Sequence, residues 1–372
     1  MKTTLLLTAL LLSLACFAQE KSWTFAVSGD SRNCGDVVMP AIAAGAKQDG
    51  ASFYWHLGDF RAIYKVDEDF LASPDPNFAR HDRDTGDPLV VNYLQGAWDD
   101  FFKYQIKPFD DLNLPVFLAM GNHETYMPKA MDDLMTRYKE RFDTLPIREQ
   151  RFKDLRFAPP ATHYHWVNQG VDFITLDNSV NYMFDTDQLN WLYSVLKQDE
   201  SDPNIKAIVV GMHAALPDSV AADHSMCSTD AGIASGRAAY RALAAASATR
   251  HVYVLASHSH YFLDNLYDTQ YWRDARNGGA VLSGWIVGTA GAVRYALPAG
   301  ATGRAHEYGY LKGTVTADGK ITFQFQPLTS DDLKRSASPD FKPDFVQWCV
   351  DNNPPREKMH IPEPRDYCKE KQ

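Results

Sequence analysis

The sequence predicts an α/β fold with parallel strands, and three observations support this class. Short apolar runs of strand length alternate with segments in which apolar residues recur at helical spacing. The first unit, from Trp23 to Leu57, is a strand–helix–strand pattern, which implies parallel strands and a right-handed crossover. Several runs end in glycine and polar residues, as Val116–Met120 does at Gly121, and ligands bind at such ends in open α/β sheets.

The first half of the chain supplies three of the predicted strands. They lie at Trp23–Val27, Ser52–Leu57 and Val116–Met120. Asp36 is expected to cap a first helix, and the helices are predicted at Val37–Gln48, Val90–Ile106 and Pro128–Phe142. The charged, weakly periodic stretch Arg61–Asp87 is expected to be a surface excursion that shapes the site, together with the loop Asp218–Asp230.

The second half predicts two hairpins, three further strands and two helices. The hairpins pair His163–Val167 with Val171–Leu176 and Tyr310–Thr316 with Ile321–Phe325. Asp185 is expected to cap one helix, and an Ala-rich helix follows at Gly232–Ala246. The remaining strands are predicted at Ile205–Val210, Val252–Leu255 and Val281–Val287.

The two ends of the chain differ in composition from the middle. Lys2, an apolar run at Leu5–Ala15 and the small residues up to Ala18 predict a signal peptide over residues 1–18. A membrane anchor and a lipoprotein on Cys16 are the alternatives; the run is short for a span, and Ser13 stands where a lipobox prefers Leu. We therefore expect an exported protein, periplasmic or secreted, without stable membrane insertion. Residues 19–330 form the expected domain, and residues 331–372 a Pro-rich polar tail on its surface.

Export changes the interpretation of the cysteines. Four remain after cleavage, and an even number in an oxidising compartment favours disulfides, although free buried thiols are the alternative. Of the three possible pairings, we favour Cys349–Cys368, which would staple the tail, with Cys34–Cys227, since both lie just after expected site loops.

Charge limits the possible partners. The net charge is −10 and no Lys/Arg block occurs, so we expect no nucleic-acid partner; an exported nuclease is the weaker hypothesis. A small-molecule phosphate ester could still be held by local cations or metals.

Polar side chains collect where the predicted strands end. Two carboxylates, one amide and three imidazoles follow these strands: Asp30, Asp59, Asn122, His213, His258 and His260. Mixed oxygen and nitrogen ligands suit Mn, Fe or Zn, and two such ions about 3.5–4 Å apart can share one carboxylate. His123 is the expected proton donor beside them. Each residue alone has an ordinary alternative, a turn or cap for the aspartates and a half-buried core position for the histidines. Their order and shared position at strand ends favour a site.

These residues stand in motifs that resemble the calcineurin-like metallophosphoesterase family. The motifs Asp-x-His, Gly-Asp, Gly-Asn-His-Glu, a lone His and Gly-His-x-His correspond here to Asp30-Ser-Arg32, Gly58-Asp59, Gly121-Asn-His-Glu124, His213 and Ser257-His-Ser-His260. The resemblance covers roughly Trp23–Gln326. It implies a four-layer α/β/β/α sandwich of two mixed sheets, with the metal site at the C-terminal ends of strands.

The resemblance also implies an activity and a ligand set. Metal-bound hydroxide would hydrolyse a phosphomonoester or phosphodiester, with two divalent or trivalent metal ions per chain. One ion would take Asp30, Asp59 and His260; the other would share Asp59 and take Asn122, His213 and His258, while His123 would face the substrate.

Three positions depart from the family pattern. Arg32 stands where the family has a metal-binding His, and a guanidinium cannot ligate a metal. Ala62 stands where the purple acid phosphatase branch has a Tyr, and Ser257 replaces a Gly.

Arg32 leaves several hypotheses open. It could clamp the phosphate with its bidentate fork while the first metal binds with fewer protein ligands. The first metal could instead be weak or absent, leaving a catalytically weak protein or a non-catalytic protein that binds a phosphorylated ligand. Under either hypothesis, Arg32 could simply pair with a nearby acid.

Overall fold

A computed structural model describes most of the chain. The described residues are 22–61, 96–125, 135–136, 138–155, 160–221, 224–351 and Cys368. The expected signal peptide, most of the predicted Arg61–Asp87 excursion and most of the predicted Pro128–Phe142 helix lie outside them.

Twelve strands occur among the described residues. They are β1 (Trp23–Ser28), β2 (Ala51–His56), β3 (Val116–Leu118), β4 (Tyr164–Asn168), β5 (Val171–Thr175), β6 (Ala207–Gly211), β7 (His251–Ala256), β8 (Phe262–Leu263), β9 (Ser283–Val287), β10 (Gly303–Arg304), β11 (Gly309–Val315) and β12 (Ile321–Pro327). Each matches a predicted strand except the two-residue strands β8 and β10, which are too short to leave a periodic pattern.

Eight α-helices lie entirely within these residues, and residues 96–100 and 135–136 are also helical. The eight are α1 (Gly35–Gln48), α2 (Lys107–Asp111), α3 (Leu145–Leu155), α4 (Thr186–Ser201), α5 (Asp230–Ala246), α6 (Gln270–Arg273), α7 (Ser330–Ser336) and α8 (Pro343–Asp351). Short 3₁₀ turns occur at Asn122–Thr125, Lys139–Arg141, Met226–Ser228 and Ala275–Asn277, and a π-helical stretch, Phe101–Ile106, precedes α2. No helix of the described residues combines the length and the apolar character that a bilayer span requires.

The strands form two mixed sheets. Sheet A has the order β12-β11-β1-β2-β3, with β1, β2 and β3 parallel and β11 and β12 antiparallel. Sheet B has the order β10-β8-β9-β7-β6-β5-β4, and its central strands β5, β6, β7 and β9 are parallel. The parallel centres bring the carboxyl ends of β1, β2, β3, β6 and β7 to the same edge.

Aromatic side chains fill the space between the sheets. Phe53 of β2 lies 5.0 Å from Phe173 of β5 between ring centroids, and Phe117 of β3 stacks on Trp166 of β4 at 3.8 Å. Because side chains alternate along a strand, Tyr54 points the other way, toward Met39 of α1.

The outer face of sheet B is covered in the same manner. Ile208 and Val210 belong to one buried cluster with Leu192 of α4 and Leu243 of α5. The expected four-layer α/β/β/α sandwich of two mixed sheets is confirmed.

Two of the predicted local features, a helix cap and a hairpin, are confirmed, and another predicted helix cap is wrong. Asp185 caps α4 by accepting a hydrogen bond from the Gln188 backbone, as predicted, and β11 pairs with β12 as the predicted hairpin. The prediction that Asp36 caps α1 is wrong. Cys34 occupies the N-cap, and the Asp36 carboxylate is buried in the first turn, where it pairs with Arg61.

The segment after Ser330 is not the irregular surface tail that its composition suggested. It contains α7, which begins with a capping box between Thr329 and Asp332, and α8. Leu333, Phe345 and Cys349 are fully buried. Three or four apolar residues in a polar segment give only a weak periodic signal in the sequence. They are nevertheless enough to form a helix that packs against the surface of the folded domain.

The favoured disulfide connectivity is wrong, although the four cysteines after Cys16 all pair. The bonds join Cys34 to Cys349 and Cys227 to Cys368, with Cα–Cα distances of 5.6 and 5.2 Å. The C-terminal segment does not close on itself, because α8 places Cys349 beside the start of α1. Each bond therefore ties this segment to a loop near the carboxyl edge of a sheet.

Candidate metal centre

The carboxyl ends of five strands bring the six predicted ligands together. Asp30 follows β1, Asp59 follows β2 and Asn122 follows β3, while His213 follows β6 and His258 and His260 follow β7. Sheet A thus supplies the carboxylates and the amide, and sheet B supplies the imidazoles. They form two adjacent groups that share Asp59.

The first group consists of Asp30, Asp59 and His260. One ligand atom of each lies within 4.8 Å of the others, and all three residues are buried. His260 Nε2 is 3.5 Å from Asp30 Oδ1. Its Nδ1 donates to the Val293 carbonyl at 2.8 Å, which leaves the Nε2 lone pair facing the carboxylates.

The second group consists of Asp59, His213 and His258, with Asn122 beside it. His213 Nδ1 donates to the Leu57 carbonyl at 3.0 Å, so its Nε2 is the free lone pair. This Nε2 lies 3.0 Å from Asn122 Oδ1 and 3.3 Å from Asp59 Oδ1. Three acceptors so close together require a cation between them, either a proton or a metal.

The pKa values express the same requirement. Burial would raise the pKa of Asp30, but the contact with His260 and the nearby imidazole of His213 hold it at about 2. Burial likewise opposes ionisation of Asp59, yet His123 and His213 keep its pKa well below the usual range. Burial would lower the pKa of His213, but the Asp59 carboxylate raises it to about 9. The site is built around buried negative charge that needs a positive partner.

Two buried atoms are consistent with a metal. Within the part of the chain that the structure describes, Asp30 Oδ1 and His258 Nδ1 make no hydrogen bond although both are excluded from solvent. Buried polar atoms are normally paired, so one unpaired atom in each of the two groups is consistent with an ion site. The donor set of carboxylates, amide and imidazoles fits Mn, Fe or Zn.

Three of the predicted ligand residues have a strained backbone conformation. Asp30, Asp59 and His258 have φ angles of 59°, 60° and 65°, in the left-handed region that non-glycine residues rarely adopt. Such strain collects at functional sites, where the surrounding structure enforces it.

Glu124 ties the second and third ligand loops together. Its carboxylate accepts hydrogen bonds from the backbone N–H groups of Asp59, Phe60 and Gly121 at 2.7–2.9 Å. Gly58 lets the loops approach, since its φ is +92° and a Cβ there would lie 2.5 Å from Gly121 N. The sequence motif contained Glu124, but only the structure reveals this positioning role.

The contacts of Ser257 explain locally why a serine occupies this position of the motif instead of glycine. Its hydroxyl donates to Asp30 Oδ2, and the His258 backbone N–H donates to the same oxygen at 2.7 Å. These bonds use one carboxylate oxygen and leave Oδ1 for a metal.

Arg32 and His123 lie together at the side of Asp59. Arg32 Nη1 contacts His123 Nε2, which is 3.7 Å from Asp59 Oδ2, and the His123 backbone N–H donates to Asp59 Oδ1 at 3.0 Å. Arg32 is half-buried. The interpretation of Arg32 as a residue that merely pairs with an acid misses this imidazole contact.

Comparison with known proteins agrees with the geometry. The sequence profile described as "Calcineurin-like phosphoesterase" matches residues 34–262, more than half of the chain. The chain belongs to this family. The matched region contains Asp59, Asn122, His213, His258 and His260 and begins after Asp30 and Arg32. A search of curated proteins finds no match.

Three solved structures are similar to this calcineurin-like phosphoesterase, and the similarity to PhoD supports the same fold. PhoD has a TM-score of 0.50 and 12% identity over 83% of this chain and 69% of its own. The purple acid phosphatase PPD1 of yellow lupin (Lupinus luteus) has a TM-score of 0.49 and 14% identity over 87% of this chain. The similarity spans 57% of the lupin chain. A dimetal phosphatase of Danio rerio has a TM-score of 0.48 and 10% identity over 82% of this chain and 96% of its own.

Family membership supports the assignment of this chain as a phosphoester hydrolase with a metal site. Members typically hold a dinuclear metal centre, and the two Asp/His groups that share Asp59 could hold metal ions. The family acts on phosphate esters, so a small phosphate ester is the class of partner that the family supports.

Three aromatic residues beside this centre were not predicted. The ring of Tyr182 lies 5.1 Å from that of His258, His224 lies 5.3 Å from His258, and Tyr295 stacks on His260 at 4.0 Å. Burial lowers the pKa of His224 to about 4, so its imidazole is neutral at pH 7. All three lie on loops between regular elements, where sequence periodicity gives no signal.

Proposed function

We propose that the protein is an exported, metal-dependent phosphoesterase that hydrolyses a small phosphomonoester or phosphodiester. The observation that carries this proposal is Asp59, which belongs to both ligand groups and can therefore bridge two metal ions. The metals would activate water and offset charge on the phosphoryl group. Asp30, Asp59 and His260 would hold one, and Asp59, Asn122, His213 and His258 the other.

The remaining residues have distinct tasks in this proposal. Arg32 binds the substrate phosphate, since a guanidinium offers two parallel donors to its oxygens. Arg32 donates to His123 Nε2 in the structure, so binding of phosphate to Arg32 releases that lone pair. His123 Nε2 can then take up a proton from solvent and donate it to the leaving oxygen. Family membership and the Arg32–His123 contact support these roles.

The direct test combines metal analysis with hydrolysis. We expect about two metal ions per chain, as a shared-carboxylate site requires. An aryl phosphate or an aryl phosphodiester should be hydrolysed with added Mn, Fe or Zn. His213→Ala should lower both metal content and rate. Absence of turnover with every metal, together with unchanged metal content in His213→Ala, would refute the proposal.

A second candidate is a non-catalytic protein that binds a phosphorylated ligand. The contact between Arg32 and His123 favours it, because a guanidinium occupies the nitrogen that catalysis requires. Tight binding of a phosphate ester by a chain that contains no metal and releases no product would support this candidate against the enzyme.

Export is a separate part of the proposal. The bonds Cys34–Cys349 and Cys227–Cys368 support it, because disulfides persist in oxidising compartments. Cell fractionation with mass analysis of the mature N-terminus tests it. A full-length chain in the cytoplasm, with free thiols, would contradict export.

A further inference from the structure

Behind the Asp30 and Asp59 loops runs a chain of buried hydrogen bonds that touches no proposed ligand side chain. The Gly58 backbone N–H donates to His56 Nδ1 at 3.1 Å. His56 Nε2 then lies 2.9 Å from Ser31 Oγ. With Nδ1 accepting, a neutral His56 donates from Nε2, and burial lowers its pKa to about 3, which keeps it neutral.

The chain continues away from the site to a buried ion pair. Ser31 Oγ donates to Gln105 Oε1 at 2.6 Å, and Gln105 Nε2 donates to Asp36 Oδ1 at 2.9 Å. The other oxygen of Asp36 accepts from Arg61. All five side chains from His56 to Arg61 are at most 2% exposed.

The donor and the acceptor of each hydrogen bond in this network are fixed. Gln105 cannot turn its amide over, because the carboxylate of Asp36 accepts only and must face Nε2. Gln105 Oε1 then accepts from Ser31, whose own oxygen accepts from His56. A buried network in which each hydrogen bond has a fixed direction favours a single arrangement of its members.

Two local features of the backbone bring the Gln105 side chain to Ser31. It lies in the π-helical stretch Phe101–Ile106, a rare conformation that is frequent at functional sites. A Cβ at Gly35 would lie 2.8 Å from Gln105 Nε2, so the glycine makes room for the amide. Both features bring a side chain from a distant helix onto Ser31.

Ser31 also joins the two loops that carry the carboxylates. Its backbone N–H donates to the Asp59 carbonyl at 3.0 Å, and the Asp30 N–H donates to the Gly58 carbonyl at 2.9 Å. The hydrogen-bond chain therefore touches the Asp30 loop at Ser31 and the Asp59 loop at Gly58.

We propose that His56, Ser31 and Gln105 form a positioning relay that sets the metal affinity of the Asp30–Asp59–His260 group. This inference rests on the proposed metal-dependent function. The relay supports the loops on which Asp30 and Asp59 have their left-handed backbone, whereas His213, His258 and Asn122 follow other strands. In the first group two of the three residues lie on loops that the relay touches, and in the second group only Asp59 does.

The test is Ser31→Ala in the full mature chain, with Ser235→Ala as the matched control. Ser235 is also a buried serine whose hydroxyl both donates, to the Ala231 carbonyl, and accepts, from the Phe184 backbone N–H, but it lies on α5. Calorimetric titration of the metal-free protein with Mn²⁺ or Zn²⁺ should resolve two binding events. His260→Ala and His213→Ala chains identify which event belongs to which group.

We expect Ser31→Ala to weaken the His260-linked event by about 10–100-fold, the usual effect of losing a partner behind a ligand. The His213-linked event should change much less, and Ser235→Ala should change neither. Gln105→Leu should give the same selective loss. The double variant should lose no more than the larger single loss, because both residues act through one chain.

The outcomes separate this inference from the proposed function. A wild-type chain that binds no metal overturns both. Two metal ions in the wild type with unchanged affinity in Ser31→Ala overturns the relay alone. Equal weakening of both events, or strictly additive losses in the double variant, also overturns it, since either result indicates general loosening of the fold.

Discussion

Removing the disulfide between Cys34 and Cys349 tests how the C-terminal segment is attached. Because both side chains are fully buried, the appropriate variant is Cys34→Ala with Cys349→Ala, which avoids burying a hydroxyl. The bond spans 315 residues of sequence, for which the chain-entropy relation gives about 5–6 kcal/mol. The second disulfide already restricts the unfolded chain, so we expect a loss of about 3–5 kcal/mol.

The assay is unfolding of the mature protein by urea and by heat. For a chain of 372 residues, a loss of this size corresponds to a fall in Tm of about 4–6 °C. The control is Cys227→Ala with Cys368→Ala, whose bond spans 141 residues and should cost about 1 kcal/mol less. Peptide mapping without reductant should find both bonds in the wild type.

Two results would refute this reasoning. Mapping that joins Cys34 to Cys227, or Cys349 to Cys368, would contradict the observed path of the C-terminal segment. A Tm within about 1 °C of wild type in the Cys34/Cys349 variant would show that α8 docks through Phe345 and its apolar neighbours alone.

Three further perturbations have expected outcomes. Burial and the nearby Asp172 raise the pKa of Asp199 to about 9, so the folded state keeps a proton that the unfolded chain releases near pH 4. The free energy of unfolding should fall as pH rises toward 9, by at most about 1.4 kcal/mol per pH unit. Asp199→Asn should make this fall less steep in urea titrations at pH 6–9. An unchanged slope would refute the assignment of the bound proton to Asp199. Arg32→Ala should lower kcat/KM for an aryl phosphate by about 100-fold or more with metal content unchanged, whereas a loss of metal would contradict its role in phosphate binding. Glu124→Gln leaves at least one of three backbone N–H groups unpaired and should cost about 1–3 kcal/mol in thermal unfolding, with weaker metal binding; full stability would imply that the loops hold each other without the carboxylate.

Sequence periodicity located most of the sandwich. The central strands were predicted because burial of both faces leaves a continuous apolar run, as in β5 and β6. The helices α4 and α5 were predicted because burial of one face leaves apolar residues at helical spacing. The two-residue strands β8 and β10 and the helices α2, α3, α6, α7 and α8 escaped prediction. Most of these elements are too short to show a period, and the longer α3 is largely polar.

The ligand residues were named from residue order and motif resemblance, and the structure brings all six together. Glu124 stood in a quoted motif, yet its three backbone partners come from loops remote in sequence. Tyr182 and His224 beside the centre and Gln105 behind it gave no signal at all, since each lies on a segment whose own sequence pattern is unrelated to the site.

By itself, the order of residues determined the fold class, the family and the side chains that follow each central strand, because these depend on local pattern along the chain. Only the tertiary structure decided the disulfide partners, the contact of Arg32 with His123 and the path from His56 to Asp36. These depend on which surfaces meet after the two sheets pack, and contacts between residues far apart in sequence leave no trace in local periodicity.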